Sequence, residues 1–370
     1  MTMTAERTWA LGARVVVIGC GGVGGCTAAR LADAGRSVVA VTGNPDITRS
    51  IGEHGLHAGL PSGDKVVRLD VVTRPAALPA VQFDVALLAV PPNRVEGAAA
   101  DVLPHLAEHG VLVPLANGLP EERLGERFGH ERVVGGIVGF GASMHGPGRV
   151  EQTSEGTLIV GRLHGGIDQA ARRVAALLEH ADPGDGVEVT ANLRGARWAK
   201  LAVNAAISSL GTIGGDRLGA LMRHRFARRL CLEVMTEVTH TAQAGGVKLE
   251  KISGAIDLEW LALDADERIA PGSPSLLAKH TILLAVGARY RRLRSSMLAA
   301  IERGREPPVD FLNGEVVRRA VTLGVPTPIN QAVVEAVRAI AAGGRRPSLE
   351  GLRQLFDDTR PLLRSLRLAA

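Results

Sequence analysis

The sequence is poor in cysteine, in aromatic residues and in long apolar runs, and each shortage removes a class of protein. Only Cys20, Cys26 and Cys231 occur in 370 residues. They show no CxxC spacing, so no disulfide framework is expected and a reducing cytoplasm is the expected compartment. No apolar run reaches the ~18 residues that suggest a membrane span. The first 13 residues carry no apolar stretch of the signal-peptide kind and read as a loose lead-in. Aromatic residues make up 3%, and 43 basic against 38 acidic residues are spread along the chain. No nucleic-acid surface of basic stripe and stacking rings is therefore expected, and the net charge of +5 suits a small anionic ligand. The pairs His54/His57 and His105/His109 have no third ligand nearby in sequence, so no metal site is expected.

Glycine is abundant, at 45 residues, and many fall where strands meet helices. The length suggests two domains of about 150 residues or more. Arg14 to Ile18 (RVVVI) is a short apolar run between glycines, the pattern of a strand buried on both faces. A helix is expected from Gly22 to Ala34, stopped by Gly35. Further strands are expected at Ser37–Val41, Val66–Val72, Asp84–Val90 and Val111–Leu115, with a helix at Val95–His109 stopped by Gly110. This alternation predicts an α/β fold, a Rossmann-type doubly wound parallel sheet with crossover helices. From Arg132 to Arg162 strand follows strand, with a GPG turn at 146–148, which reads as an antiparallel extension closing the sheet. After Gly165–Gly166 every periodic segment is helical, and 251–275 reads as an irregular insertion. The expected plan is a lead-in at 1–13, a dinucleotide-binding domain at 14–165 and an all-helical domain at 166–370.

Gly19-Cys20-Gly21-Gly22-Val23-Gly24 is a GxGxxG run directly after the first strand and directly before the first long helix. In that context it reads as a dinucleotide loop. Gly19 permits the tight turn, Gly21 lets the main chain approach a pyrophosphate, and Gly24 lets helix and strand pack closely. The helix N-terminus then offers free N–H groups to the phosphates. An acid at the tip of the second strand would select NAD, and a basic residue NADP. The chain has Thr42-Gly43-Asn44-Pro45-Asp46 there. Thr42 and Asn44 suit either ligand. Arg49 reads equally as a phosphate partner or as part of a solvated helix face. Asn117-Gly118 follows a strand and reads as a ligand loop or as a turn pair.

Lys200, Asn204 and Ser208 recur at i, i+4 and i+8 among Leu, Ala, Val and Ile, and so share one helix face. A lysine there is either a desolvated proton donor or a side chain snorkelling from a buried helix. Ser295–Ser296 read as helix caps. The basic run at 289–294 reads as a solvated face or as an attractor for an anion.

These segments together resemble the ketopantoate reductase family from Arg14 to about Pro361. The carriers are GCGGVGG at 19–25, ANG at 116–118, WAKLAVNAAIS at 198–208, SSML at 295–298, VDFLNG at 309–314 and GVPTPIN at 324–330. The resemblance implies a Rossmann domain and a helical domain with the active site in the cleft between them. It implies hydride transfer from NADPH, with NADH as the other candidate, to a 2-oxo acid such as 2-dehydropantoate in pantothenate biosynthesis. It makes Lys200 the general acid, has Asn204 and Asn117 position substrate and nicotinamide, and has Ser208 and Ser296 on the substrate. The helical half is expected to carry the substrate and, in a homodimer, the subunit contact.

Five positions depart from the family pattern. The arginine usual at the tip of the second strand is Asn44 or a neighbour, and the usual lysine after DVALLAV is replaced by Pro91-Pro92. The second asparagine of the catalytic helix is Ser208. The family's catalytic glutamate is Pro308, and the aspartate four residues after Ser296 is Ala300. An altered substrate, as in secondary metabolism, follows from these departures. So does a cofactor-binding protein without reductase activity.

Overall fold

The structure is a computed structural model that describes residues 4–179, 186–252, 256–269 and 272–369. These fall into two compact units, Met1–Leu193 and Arg194–Ala370.

The first unit begins with α1 (Ala5–Gly12), where a loose lead-in was expected. Thr4 caps this helix, Ala10 is fully buried, and Trp9 lies under the Arg173 guanidinium. The chain continues through β1 (Arg14–Ile18), α2 (Gly22–Asp33), β2 (Ser37–Val41) and α3 (Pro45–His54), then β3 (Leu56–Leu60), β4 (Gly63–Val67) and β5 (Asp70–Val72). After these come β6 (Phe83–Leu88), α4 (Val95–Val102), β7 (Leu106–Pro114), α5 (Pro120–Phe128), β8 (Gly135–Val138), β9 (Gly141–Gly146) and β10 (Arg149–Ser154). The unit ends with β11 (Leu158–Gly161), α6 (Gln169–Glu179) and β12 (Val187–Thr190).

The central sheet has the order β5-β2-β1-β6-β7 and every pairing in it is parallel. Both faces of β1 are buried. Val15 and Val17 pack with Ala28 and Leu31 of α2, whereas Val16 and Ile18 pack on the other side with Val95 and Ala99 of α4. A continuous apolar run is what such a strand needs.

Several boundaries differ from the expectation. The helix expected through His109 ends at Val102, because Pro104 stops it and the chain turns into β7 at Leu106. The segment 66–72 is split between β4 and β5, which belong to different sheets. Apart from one parallel bridge between Leu112 and Val133, the segment 132–162 does not extend the central sheet. Its strands build a four-stranded sheet, β4-β3-β10-β9, and a three-stranded one, β12-β11-β8. The turn at 146–148 does join β9 to β10, with Gly148 at φ +68°. Among the described residues beyond Gly166 one strand remains: β12 pairs with β11 in parallel, and α6 packs beside it in the first unit.

The second unit opens with α7 (Leu193–Gly214), α8 (Leu218–Met222) and α9 (Arg225–Ala244), then α10 (Leu258–Leu261), α11 (Ala265–Ile269) and α12 (Pro274–Arg289). It closes with α13 (Ser296–Glu302), α14 (Asn313–Leu323), α15 (Pro328–Ala341) and α16 (Leu349–Ala369). Within 251–275, residues 253–255 and 270–271 lie outside the described residues, and the rest holds α10 and α11. No helix among the described residues is long and apolar enough to cross a membrane.

Candidate functional site

The glycine loop occupies the carboxyl end of β1, the strand at which the sheet order reverses direction. In open parallel sheets ligands gather at that point. Gly19 has φ +97°, and a Cβ on it would lie 2.5 Å from the Ala89 carbonyl oxygen. A Cβ on Gly24 would lie 1.9 Å from the Gly19 oxygen, so this glycine sets the contact between α2 and β1. Gly21 differs from both, because a Cβ there would meet nothing within 4 Å. It is also the N-cap of α2 and provides no side-chain cap. The first-turn N–H groups and the open side of Gly21 fit the approach of a pyrophosphate. Cys20 is buried, which pushes its thiol up to about 12, so it would meet a cofactor through its backbone only. Val23 is half-buried in the first turn of α2.

Two further glycines have roles that the motif does not state. A Cβ on Gly22 would strike the Ala142 carbonyl at 2.7 Å, and one on Gly25 would strike Val150 Cγ1 at 2.7 Å. Strands β9 and β10 therefore cross directly over the start of α2. The only sequence sign of this was the doubling of glycines in GCGGVGG.

Backbone bonds tie the neighbouring loops to this edge. Gly19 N–H donates to the Val41 carbonyl, Ala89 N–H to that of Ile18 and Leu115 N–H to that of Leu88. Thr42, Asn44 and Asn117 thus lie on the same carboxyl edge. Thr42 is buried. Asn44 caps α3, its Oδ1 accepting from the N–H groups of Asp46 (2.9 Å) and Ile47 (3.3 Å). Arg49 forms an exposed ion pair with Asp46 at 3.3 Å. Such pairs are weak enough to be exchanged for a better anion. Gly118 follows Asn117 with φ +88°, so the turn and ligand-loop readings of this pair are compatible.

The second unit carries the other candidate residues. Lys200, Val203, Asn204, Ile207 and Ser208 are each half-buried, while Leu201, Ala202, Ala205 and Ala206 between them, and Ser209 beyond, are buried. One face of α7 is therefore reachable, with the polar Lys200, Asn204 and Ser208 flanked by Val203 and Ile207, and the opposite face is core. Ser295 is buried and anchors the start of α13 to α7. Its Oγ donates to the Ser208 carbonyl at 2.7 Å and accepts from Leu298 N–H at 3.2 Å. Gly211 permits this approach, since a Cβ on it would lie 3.1 Å from that of Ser295. Ser296 is exposed at the first position of α13, so the Ser295 tether places it beside the Ser208 end of the stripe.

Behind the stripe lies a buried polar network whose members had no assigned role in the sequence reading. Asn313 Nδ2 donates to the Ala205 carbonyl (3.1 Å) and to Asn330 Oδ1 (2.9 Å), and Asn313 Oδ1 accepts from Ser209 Oγ (2.6 Å). Asn330 donates in turn to Glu237, whose carboxyl is raised to about 7 by burial. The motifs VDFLNG and GVPTPIN each supply one asparagine, and together they hold α7 from its buried side. Pro308 begins a half-buried 3-10 turn, Glu306 is exposed, and Asp310 is bound by Arg338 at 2.7 Å. Among the described residues no cluster of His, Cys, Asp and Glu could hold a metal.

A parallel sheet with this loop at its switch point defines a dinucleotide-binding protein. The family model described as Ketopantoate reductase PanE/ApbA matches residues 15–165, and Ketopantoate reductase PanE/ApbA C terminal matches 192–341. The chain belongs to the ketopantoate reductase family, NAD(P)H-dependent oxidoreductases that act on CH–OH groups. It is 28% identical over 331 residues to the 2-dehydropantoate 2-reductase of Vibrio cholerae, covering 88% of this chain and 97% of that one. To the enzyme of the same name from Pyrococcus abyssi it is 25% identical over 318 residues, covering 86% and 94%. The crystal structure of a ketopantoate reductase from Ralstonia eutropha JMP134 matches with a TM-score of 0.73 and 28% identity, covering 89% of this chain and 99% of that one. A D-mandelate dehydrogenase structure with NADH and anilino(oxo)acetate shares the fold, with a TM-score of 0.74 and 21% identity, covering 89% and 98%.

Proposed function

We propose that this chain reduces the carbonyl of a small 2-oxo acid to the hydroxyl at the expense of NADPH. The observation that carries the reading is that Lys200, Asn204 and Ser208 share the half-buried face of α7, flanked only by the apolar Val203 and Ile207, in a chain of this family. Gly19 to Gly24 and the α2 N-terminus would hold the pyrophosphate. Thr42, Asn44 and Arg49 would face the adenosine ribose, and Asn117 the nicotinamide side. The absence of a carboxylate at the strand tip, with Arg49 within reach of exchange from Asp46, favours the phosphorylated cofactor. The reduced nicotinamide supplies the hydride.

The protein's own groups manage charge and position. Lys200 gives its proton to the carbonyl oxygen as negative charge develops there, which is general acid catalysis. The Asn204 amide orients that carbonyl. The hydroxyls of Ser208 and Ser296, brought together by Ser295, bind the substrate carboxylate. Pro308 and Ala300 offer no polar contact where the family has two carboxylates, so the preferred substrate has a less polar or bulkier tail than 2-dehydropantoate. A site that loses a hydrogen-bonding partner loses its discrimination for the matching hydroxyl.

A panel of 2-oxo acids assayed with NADPH and with NADH, followed by loss of nicotinamide absorbance, tests this. We expect turnover with apolar 2-oxo acids, low turnover of 2-dehydropantoate, and a gain on the latter in Pro308→Glu. Efficient use of 2-dehydropantoate by the wild type would remove the altered-substrate reading. Tight cofactor binding with no turnover of any carbonyl compound would favour a non-catalytic protein.

A further inference from the structure

The helical unit contains a second recess, lined by none of the residues assigned above to cofactor or substrate. A cavity of about 280 Å³ opens between α9, α12 and α16. Its charged wall is made of arginines. Arg229 of α9 is buried and donates to Glu233 Oε1 at 2.9 Å. Arg360 of α16 lies 4.0 Å from the same carboxylate, which also takes Arg268 at 2.8 Å. Glu233 is thus shared by three guanidiniums, one of which, Arg268, also reaches Glu237 at 3.5 Å, and among the described residues the cavity wall has four arginines and no carboxylate. Arg353 meets Asp357 at the surface, in a pair at least half exposed. The apolar wall is Phe226 and Phe356, whose ring centroids lie 5.2 and 5.9 Å from the Arg353 guanidinium.

His280 of α12 is the second observation. Its side chain lines the cavity and the residue is 6% exposed, yet among the described residues Nδ1 has no hydrogen-bond partner. Buried polar atoms are almost always paired, because leaving one unpaired loses its hydration with no return. An unpaired nitrogen on a residue that lines an arginine-walled recess points to a ligand with hydrogen-bonding oxygens.

We propose that this cavity binds a phosphate monoester with a small aromatic or branched body. Guanidinium groups match phosphate oxygens in charge and in geometry. The cavity exceeds a phosphate group in size, and the phenylalanine pair gives the remaining space an apolar lining. His280 completes the lining and brings an unpaired ring nitrogen to it.

The probe is phenyl phosphate, titrated into the full chain by calorimetry and by the ring resonances of histidine-labelled protein. The measurement needs neither turnover nor cofactor, so its failure would leave the reductase reading standing. We expect saturable binding of one phenyl phosphate per chain with a shift of the His280 resonance, identified from the His280→Phe spectrum. Arg353→Ala removes a surface-facing arginine with little risk to folding and is expected to weaken binding at least ~10-fold, as for loss of a charged hydrogen bond. Arg353→Lys should recover part of the loss. The proposal is overturned by an unmoved His280 resonance, by undiminished affinity in Arg353→Ala, or by the same shift from sodium chloride at equal ionic strength. Equal affinity for benzoate would overturn the phosphate head, and equal affinity for inorganic phosphate would overturn the body.

Discussion

At the residue scale, Lys200 and Gly21 are the positions where one substitution separates roles. Lys200 is half-buried on a face it shares with the half-buried Val203 and Asn204, so its loss touches little of the core. Lys200→Ala should lower kcat by roughly 10²-fold or more while changing KM far less, because a proton donor acts mainly on the transition state. Steady-state kinetics on any accepted 2-oxo acid check this, and equal turnover would return Lys200 to a snorkelling role. Gly21 and Gly24 make a matched pair. Gly21→Val places its side chain in open space and should abolish cofactor binding with the melting temperature kept. Gly24→Ala forces a Cβ to 1.9 Å from the Gly19 oxygen and should lower the melting temperature itself. Cofactor titration and thermal unfolding of both variants distinguish the two outcomes.

At the element scale, α7 is held from behind by asparagines of two distant motifs. Asn313 satisfies Ser209, the Ala205 carbonyl and Asn330 together. Asn313→Ala strands these buried groups and should cost about 2–4 kcal/mol in denaturant unfolding, given about 1–3 kcal/mol for a buried polar group left unpaired. A loss below 1 kcal/mol, on the order of an ordinary surface change, would show that water replaces the amide. The stripe of α7 was legible in the sequence because helical spacing is local. The network behind it was not, since nothing in VDFLNG or GVPTPIN says that their asparagines meet. The expected helix to His109 failed at the same scale, because apolar periodicity continued past the point where Pro104 redirects the chain.

At the scale of the whole molecule, acid stability depends on His280. Burial, and then the charges of Arg228, Arg225 and Arg229, lower its imidazole to about 4 from 6.5. Below pH 6.5 the unfolded chain gains a proton that the folded chain refuses until about pH 4. Its contribution is therefore complete above pH 6.5 and declines as pH falls through that window. Thermal unfolding across this range should show wild type losing stability more steeply than His280→Phe. Parallel curves would mean that the ring is protonated in the fold. Subtracting the variant's curve isolates this histidine from the other ten.

The sequence alone determined the features that rest on neighbouring residues: a buried strand running into a glycine loop and helix, the polar stripe on α7, and the order of motifs that marks the family. Chain segments far apart in sequence decided the rest. Helix α1 exists because Ala10 and Trp9 find α6 to pack on, and a short helix in water needs such a partner. Strand β3 pairs in parallel with β10, and that contact turned an expected sheet extension into a separate sheet. The crossing of β9 and β10 over α2 explains Gly22 and Gly25. The meeting of α9, α12 and α16 places His280 among arginines. Periodicity reports which face of an element is apolar. Which distant surface covers that face depends on the shape and charge of both, and these are brought together only in the folded chain.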